Sequence, residues 1–180
     1  MSKESIIPIF GARNVQLTEL NADELVNALW EGQRDFSNRY LVHPRAVESF
    51  IDSGTGSINQ YTTKNEEDLR RLPIGFQSSI LAGLYGPGIK IPFTNFTMAD
   101  MTGADLSDAD LRKAVFVGSY LQNVSFFGSD LTGADFRNAR GLESGLDIKD
   151  AIYGGIIIKP EQVELFRGFG LDIGKIDVRD

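Results

Sequence analysis

The residues of this chain whose types could do chemistry are one histidine and a regular series of aspartates. His43 precedes Pro44 where a helix reads as beginning, and the sequence holds no second His and no Cys to complete a metal site or a Cys–His pair. A structural role follows for it. Asp100, Asp105, Asp110, Asp130 and Asp135 each stand just before a large apolar residue. General acid–base work or cation binding would need these carboxylates to converge on one point. Hydrogen bonding to nearby turn amides needs only that each reach its own backbone. The 19 glycines form no G-x-x-x-x-G-K-[ST], no strand-to-helix G-x-G-x-x-G and no G-x-S-x-G. Arg70-Arg71 and Arg112-Lys113 are isolated basic pairs and read as solvated surface. The expectation is a protein that is not an enzyme, with no catalytic, cofactor-binding or metal-binding residue.

What must position the aspartates is a five-residue period running from Ile89 to Gly141. Its large members are Ile91, Phe96, Met101, Leu106, Leu111, Phe116, Leu121, Phe126, Leu131 and Phe136. Two residues before each stands a mostly small one, such as Ala99, Ala104, Ala109, Ala114, Ser119 or Ala134. Period five matches neither a helix at 3.6 nor a strand at 2. If each unit is one side of a square coil, four units close a turn and residue i meets residue i+20. Phe96, Phe116 and Phe136 then share a column, as do Ile91, Leu111 and Leu131, and Leu106 with Phe126. Successive aspartates leave different sides of the square, and only Asp110 and Asp130 share a column.

The A-D-L-x-x units at Ala99 to Met101, Ala104 to Leu106, Ala109 to Leu111, Ser129 to Leu131 and Ala134 to Phe136 resemble the pentapeptide-repeat family. Glu24 to Ser37, with its G-x-R-D-F ending at Phe36, looks like the lead that often precedes such repeats. The resemblance implies a short right-handed quadrilateral β-helix, and the flanking residues add to this mainly β fold an N-terminal helical region and a C-terminal capping helix. About fourteen sides make roughly 3.5 coils, or about 17 Å at the ~4.8 Å spacing of a sheet.

Three regions are expected: 1–88 as a helical cap or insert, 89–158 as the β-helix, and 159–180 as capping helix and tail. Ile6 to Phe10, interrupted by Pro8, suits an edge strand or a pinned arm. Asn21 with Glu24 reads as a helix start, with Leu25, Val26, Leu29 and Trp30 as its apolar stripe and Gly32 as its stop. A second helix begins at His43-Pro44 and buries Ala46, Val47, Phe50 and Ile51. Ser53 to Gly56 is the best linker, Ser57 to Thr62 suits a short strand, and Arg39 to about Lys64 reads as an insertion. Over Glu66 to Tyr85 helical spacing competes with early repeats, and a helix capping the mouth is favoured. After Gly141 the register slips by two and resumes at Leu146 with Ile148, Ala151 with Tyr153 and Ile156 with Ile158. Pro160 opens a last helix to about Arg167, whose Val163, Leu165 and Phe166 can close the coil end. The tail from Leu171 is polar and expected to be loosely held.

The chain has 180 residues, is 42% hydrophobic and carries a formal charge of −7. The first 88 residues hold 11 acidic and 8 basic residues, 89–141 hold 6 and 5, and the remainder 8 and 5. That balance argues against direct nucleic-acid binding. No apolar run approaches the ~20 residues of a membrane span, and a start without a long apolar region favours the cytoplasm. Where the repeats lead one to expect Asp, Thr or Ser facing outward, the chain instead has Val115, Val117, Tyr120 and Phe127. Grouped exposed apolar residues dock either another part of the chain or a partner. These four are the candidate partner surface of a noncatalytic structural or protein-binding module, with another protein as partner. The family resemblance implies an alternative, a mimic of duplex DNA that binds type II topoisomerase and gives quinolone or toxin resistance. For that role a homodimer would have to double the rod.

Overall fold

The computed structural model describes residues 4–9, 13–21, 28, 33–42, 66–71 and 73–180. Within them the five-residue period becomes a four-sided coil whose sides are tied by parallel bridges between residues twenty apart. The first wall carries Asp35, Gly75, Asn95, Val115, Asp135 and Ile157, and the second Ile80, Asp100, Tyr120 and Arg140. The third carries Tyr85, Asp105, Ser125 and Asp147, and the fourth Lys90, Asp110, Asp130 and Ile152.

Both inward sets are buried, because each wall is a short extended segment whose two flanking residues face the axis. Phe36, Phe76, Phe96, Phe116 and Phe136 stack in one column with ring centroids 5.4, 5.7, 5.2 and 5.0 Å apart. Offset stacking at such distances is the favoured arrangement of aromatic pairs. Ala99, Ala104, Ala109, Ala114 and Ala134 leave room for these rings and are at most 1% exposed. Where the small place holds a hydroxyl, the group is satisfied internally: Ser119 Oγ donates to Phe116 O at 2.7 Å and Thr94 Oγ1 to Ile91 O at 2.8 Å.

Corners are closed by N–H groups reaching back three residues, as from Ala104 N to Met101 O at 2.9 Å. In the regular corners the residue before the donor takes a left-handed φ, at Gly103 (+70°), Asp108 (+56°) and Asn123 (+55°) among others. Glycine, asparagine and aspartate recur there because they accept that conformation most readily. At Gly141 (φ +72°) the chain bulges, and Leu142 takes the buried place instead. Thereafter the bridges join residues 22 apart, Ser125 to Asp147 and Asp130 to Ile152, which is the anticipated two-residue slip.

The coil begins earlier than Ile89. Asp35 bridges Gly75, Phe36 N donates to Gly75 O at 2.7 Å, and Gly75 N donates to Arg34 O at 2.6 Å. The G-x-R-D-F lead is thus the first rung, and the insertion leaves after Arg39. From Ile74 the period is continuous, so the helix favoured over Glu66 to Tyr85 is confined to α1 (Glu66–Arg71). Pro73 explains the stop, since the residue before a proline is disfavoured in a helix.

Two strands before the first rung and one after it form a three-stranded sheet in the order β1 (Glu4–Ile9), β2 (Arg13–Asn21), β3 (Arg39–Val42). β1 lies at the edge and runs antiparallel to β2, with Pro8 opposite Asn14, whereas β3 pairs with β2 in parallel. The edge strand agrees with expectation. A wholly helical N-terminal region does not: the alternation of Val15 and Leu17 extends β2. The two expected helices lie outside the described residues, apart from Ala28, which is helical. The linker at 53–56, the strand at 57–62, Trp30 and Phe50 also lie outside them.

At the other end, a 3-10 turn (Pro160–Gln162) leads into α2 (Val163–Gly168). Gln162 Nε2 donates to Phe136 O at 2.9 Å, and Phe166, 0% exposed, sets its ring edge-on to Phe136 at 5.9 Å. The tail is not loose. After α2 the chain returns as β5 (Asp177–Val178), pairing in parallel with β4 (Ile157–Ile158) twenty residues back. It adds one more rung to the first wall, and Arg137 Nη1 fixes it by donating to Asp180 O at 2.6 Å.

Candidate functional site

The aspartate series does not converge. Each carboxylate accepts the backbone N–H two residues on: Thr102 to Asp100, Ser107 to Asp105, Thr132 to Asp130 and Arg137 to Asp135, all at 3.0 Å. Asp110 does the same with Arg112 N at 3.3 Å, and Arg112 Nη2 pairs with it at 2.7 Å while its Nε stands 4.0 Å from Asp130 Oδ2. The one pair that shares a column is thereby bridged by a cation. Asp135 raises the Arg137 guanidinium above its ordinary value by accepting its hydrogen bonds and by its charge, with Asp177 adding to it. Among the described residues no group of three or more His, Cys, Asp or Glu could hold a metal ion. His43 lies outside them.

The four outward apolar residues fall in two places. Val115 stands on the first wall, Val117 on the corner beyond it and Tyr120 on the second wall. Met98, 49% exposed, lies beside them, its N–H donating to Val117 O at 2.9 Å. Its chain crosses the space a side chain at Gly118 would need, since a Cβ there would lie 2.7 Å from its sulfur. Tyr120 is held by Arg140, whose Nη1 donates to the phenol oxygen at 2.8 Å while the guanidinium sits 5.4 Å from the ring centroid. Met98, Val115, Val117 and Tyr120 therefore form one apolar strip around a single corner.

Phe127 is not part of it. Its carbonyl accepts Asp108 N at 2.7 Å, which places it on the corner between the third and fourth walls, diagonally across the square. It is 39% exposed, and Ile152 on the adjoining wall is 58% exposed. Two residues of these surfaces were not anticipated. Met98 occupies a corner place where glycine, asparagine or aspartate is usual, and Ile152 follows Ala151 where the repeats carry Asp. Both substitutions are visible once the corner φ and the slipped register are known.

Among the described residues no helix is long and apolar enough to cross a membrane. A cavity of about 370 Å³ lies under the corner of Lys149 and Asp150, between the last coil and the Phe169–Leu171 turn.

Comparison with known proteins agrees with this geometry. The pentapeptide repeats model matches residues 104–140 in 8 copies. The pentapeptide repeat protein alr5209 of Nostoc Pcc 7120 superposes with a TM-score of 0.50 at 15% identity, over 69% of this chain and 95% of its own. Rfr23, a pentapeptide repeat protein from the cyanobacterium Cyanothece 51142, gives 0.43 at 15% identity over 66% of this chain. A pentapeptide repeat protein of the Arabidopsis thaliana thylakoid lumen gives 0.38 at 30% identity over 52%. This chain spans 59% of the length of the Cyanothece protein and 65% of the Arabidopsis one. The curated proteins contain no match. The likeness to the Nostoc protein implies a right-handed quadrilateral β-helix. Residues 104–140 carry pentapeptide repeats, and the backbone winds them into the square coil.

Proposed function

We propose that this chain is a noncatalytic module whose rigid wall is held by another protein. The observation that carries the reading is the strip of Met98, Val115, Val117 and Tyr120, which runs around one corner between outward places held by Asn95, Asp100, Asp135 and Arg140. Stacked coils give stiff, extended surfaces, because each coil is positioned by its neighbours. Leaving apolar groups on such a surface costs solvation that a partner would recover. The carboxylates, each engaged with its own turn, support a structural part for the repeats and no chemistry.

The same geometry weighs against imitation of duplex DNA. From the Phe36 level to the Ile158 level the coil steps five times, about 24 Å at ~4.8 Å each. Duplex DNA covers that length in about seven base pairs at ~3.4 Å. Residues 89–141, with 6 acidic and 5 basic side chains, are close to neutral. A topoisomerase supercoiling assay that finds inhibition at stoichiometric protein would favour the mimic.

The direct test substitutes Val117→Asp and Tyr120→Ala and measures binding to partners captured from the native host, beside the melting temperature. A partner site predicts at least about tenfold weaker binding with melting within a few degrees of the parent. Lost stability with unchanged binding would sink this reading and make the strip a docking place for the chain itself.

A further inference from the structure

We infer that the corner between the third and fourth walls is a second docking surface, and that it takes a cationic segment of another protein carrying one large apolar side chain. This rests on the reading of the coil as a protein-binding wall but names a different face and a partner chemistry. Down this edge the turns follow one another: Asp108 N donates to Phe127 O at 2.7 Å, and Gly128 N donates to Lys149 O at 3.0 Å. Phe127, 39% exposed, thus sits between the Asp108 turn and the Lys149-Asp150 turn, with Ile152, 58% exposed, on the wall beside it. Immediately below opens the cavity of about 370 Å³, with Ile148, Tyr153, Phe169 and Leu171 among its lining. That volume is near the lower end of ligand pockets, ~300–1,000 Å³, and suits an inserted side chain.

Charge decides the kind of chain that would lie there. Asp147 and Asp150 rim the cavity with Lys149 between them, and Asp108 leans over Gly128 beside Phe127. None of the three aspartates has an ion pair among the described residues. Asp147 accepts only its turn amide, Lys149 N, at 3.0 Å, so the edge sets three carboxylates against the one ammonium of Lys149. Nucleic acid and anionic lipid are repelled by such an edge. A segment with Lys or Arg beside one Leu, Phe or Trp meets both features, its charges along the edge and its apolar group against Phe127, Ile152 or the cavity floor.

The experiment pans a random dodecapeptide phage library on the full chain and measures the enriched peptides by fluorescence anisotropy. Three proteins are compared: the parent, the Phe127→Asp/Ile152→Asp double variant and the Asp147→Asn/Asp150→Asn double variant. Phe127 and Ile152 are exposed, and Asn keeps the turn acceptor at 147, so thermal unfolding is expected to be unchanged. The inference predicts basic peptides with one large apolar residue, at least about tenfold weaker for each double variant, and several-fold weaker between about 0.05 and 0.5 M NaCl. No enrichment, enrichment of neutral or acidic peptides, or binding indifferent to both double variants overturns it. A host partner lost with Val117→Asp while no basic peptide binds would sink this inference and leave the broader reading standing. Basic peptides bound at this edge, with the strip needed only for stability, would do the reverse.

Discussion

Asp105 illustrates what one carboxylate does in these walls. Its Oδ1 accepts both the N–H of Ser107 at 3.0 Å and the Ser107 hydroxyl at 2.6 Å, tying a corner to the wall that precedes it. Asp105→Ala removes both acceptors and is expected to cost about 1–2 kcal/mol, while Asp105→Asn, which keeps Oδ1, costs under ~0.5 kcal/mol. Urea unfolding of the two variants measures the difference; equal losses would mean that charge, rather than the turn bonds, matters. Asp35 adds a pH dependence. The Ser37 hydroxyl, and then the Ser37 amide, hold its carboxyl below its ordinary 3.8. The unfolded chain therefore binds the proton more readily, so stability rises with pH through this window. The contribution is complete above the ordinary value and disappears as pH falls through the lowered one. Asp35→Asn should flatten that acid limb in unfolding midpoints taken from about pH 2 to 5. The role of the aspartates was legible from sequence because the same residue recurs at the same place. Met98 and Ile152 were not, because their exposure depends on corner conformation and a slipped register.

At the scale of elements, the corners set the tolerance of the coil. Gly103 and Gly141 share a left-handed φ, +70° and +72°, but a Cβ at Gly103 meets nothing within 4 Å, whereas one at Gly141 lies 3.0 Å from Gln122 N. Gly103→Ala should cost about 1 kcal/mol from the backbone alone, and Gly141→Ala about 1–3 kcal/mol more from crowding. Thermal unfolding of both variants tests this, and equal losses would show that φ alone governs the corners. The stacked columns could be read directly from the sequence, since a period of five admits few other packings. Residues 66–85 could not, because Leu69, Leu72, Phe76, Ile80 and Leu84 satisfy helical spacing while Ile74, Phe76, Ser79 and Leu81 keep the period of five. Pro73 separates the two patterns, with a helix before it and coil after. The C-terminal rung was hidden for another reason: Asp177-Val178 is too short to show any period, and its place is set by the twenty-residue return from Ile157.

For the whole molecule, stability is a matter of neighbours and ends. Beside the first-wall rungs at the two ends, α1 places Leu69 in the core and α2 places Phe166 there. Phe166→Ala is expected to cost about 3–5 kcal/mol, and loss of the whole lid would leave both apolar columns and the rung edges open to association. Calorimetry with light scattering measures both effects; a variant that melts like the parent would show that β5 alone closes the end.

Between Asp35 and Gly75 the chain travels forty residues, yet Phe36 still lies face to face with Phe76. The wall thus keeps count of its layers and is indifferent to the length of thread spent between them. That gap is a natural splice port. A foreign domain whose ends lie close together could be inserted between Val42 and Glu66 and carried on a stiff mount, with β3, α1 and the stack kept.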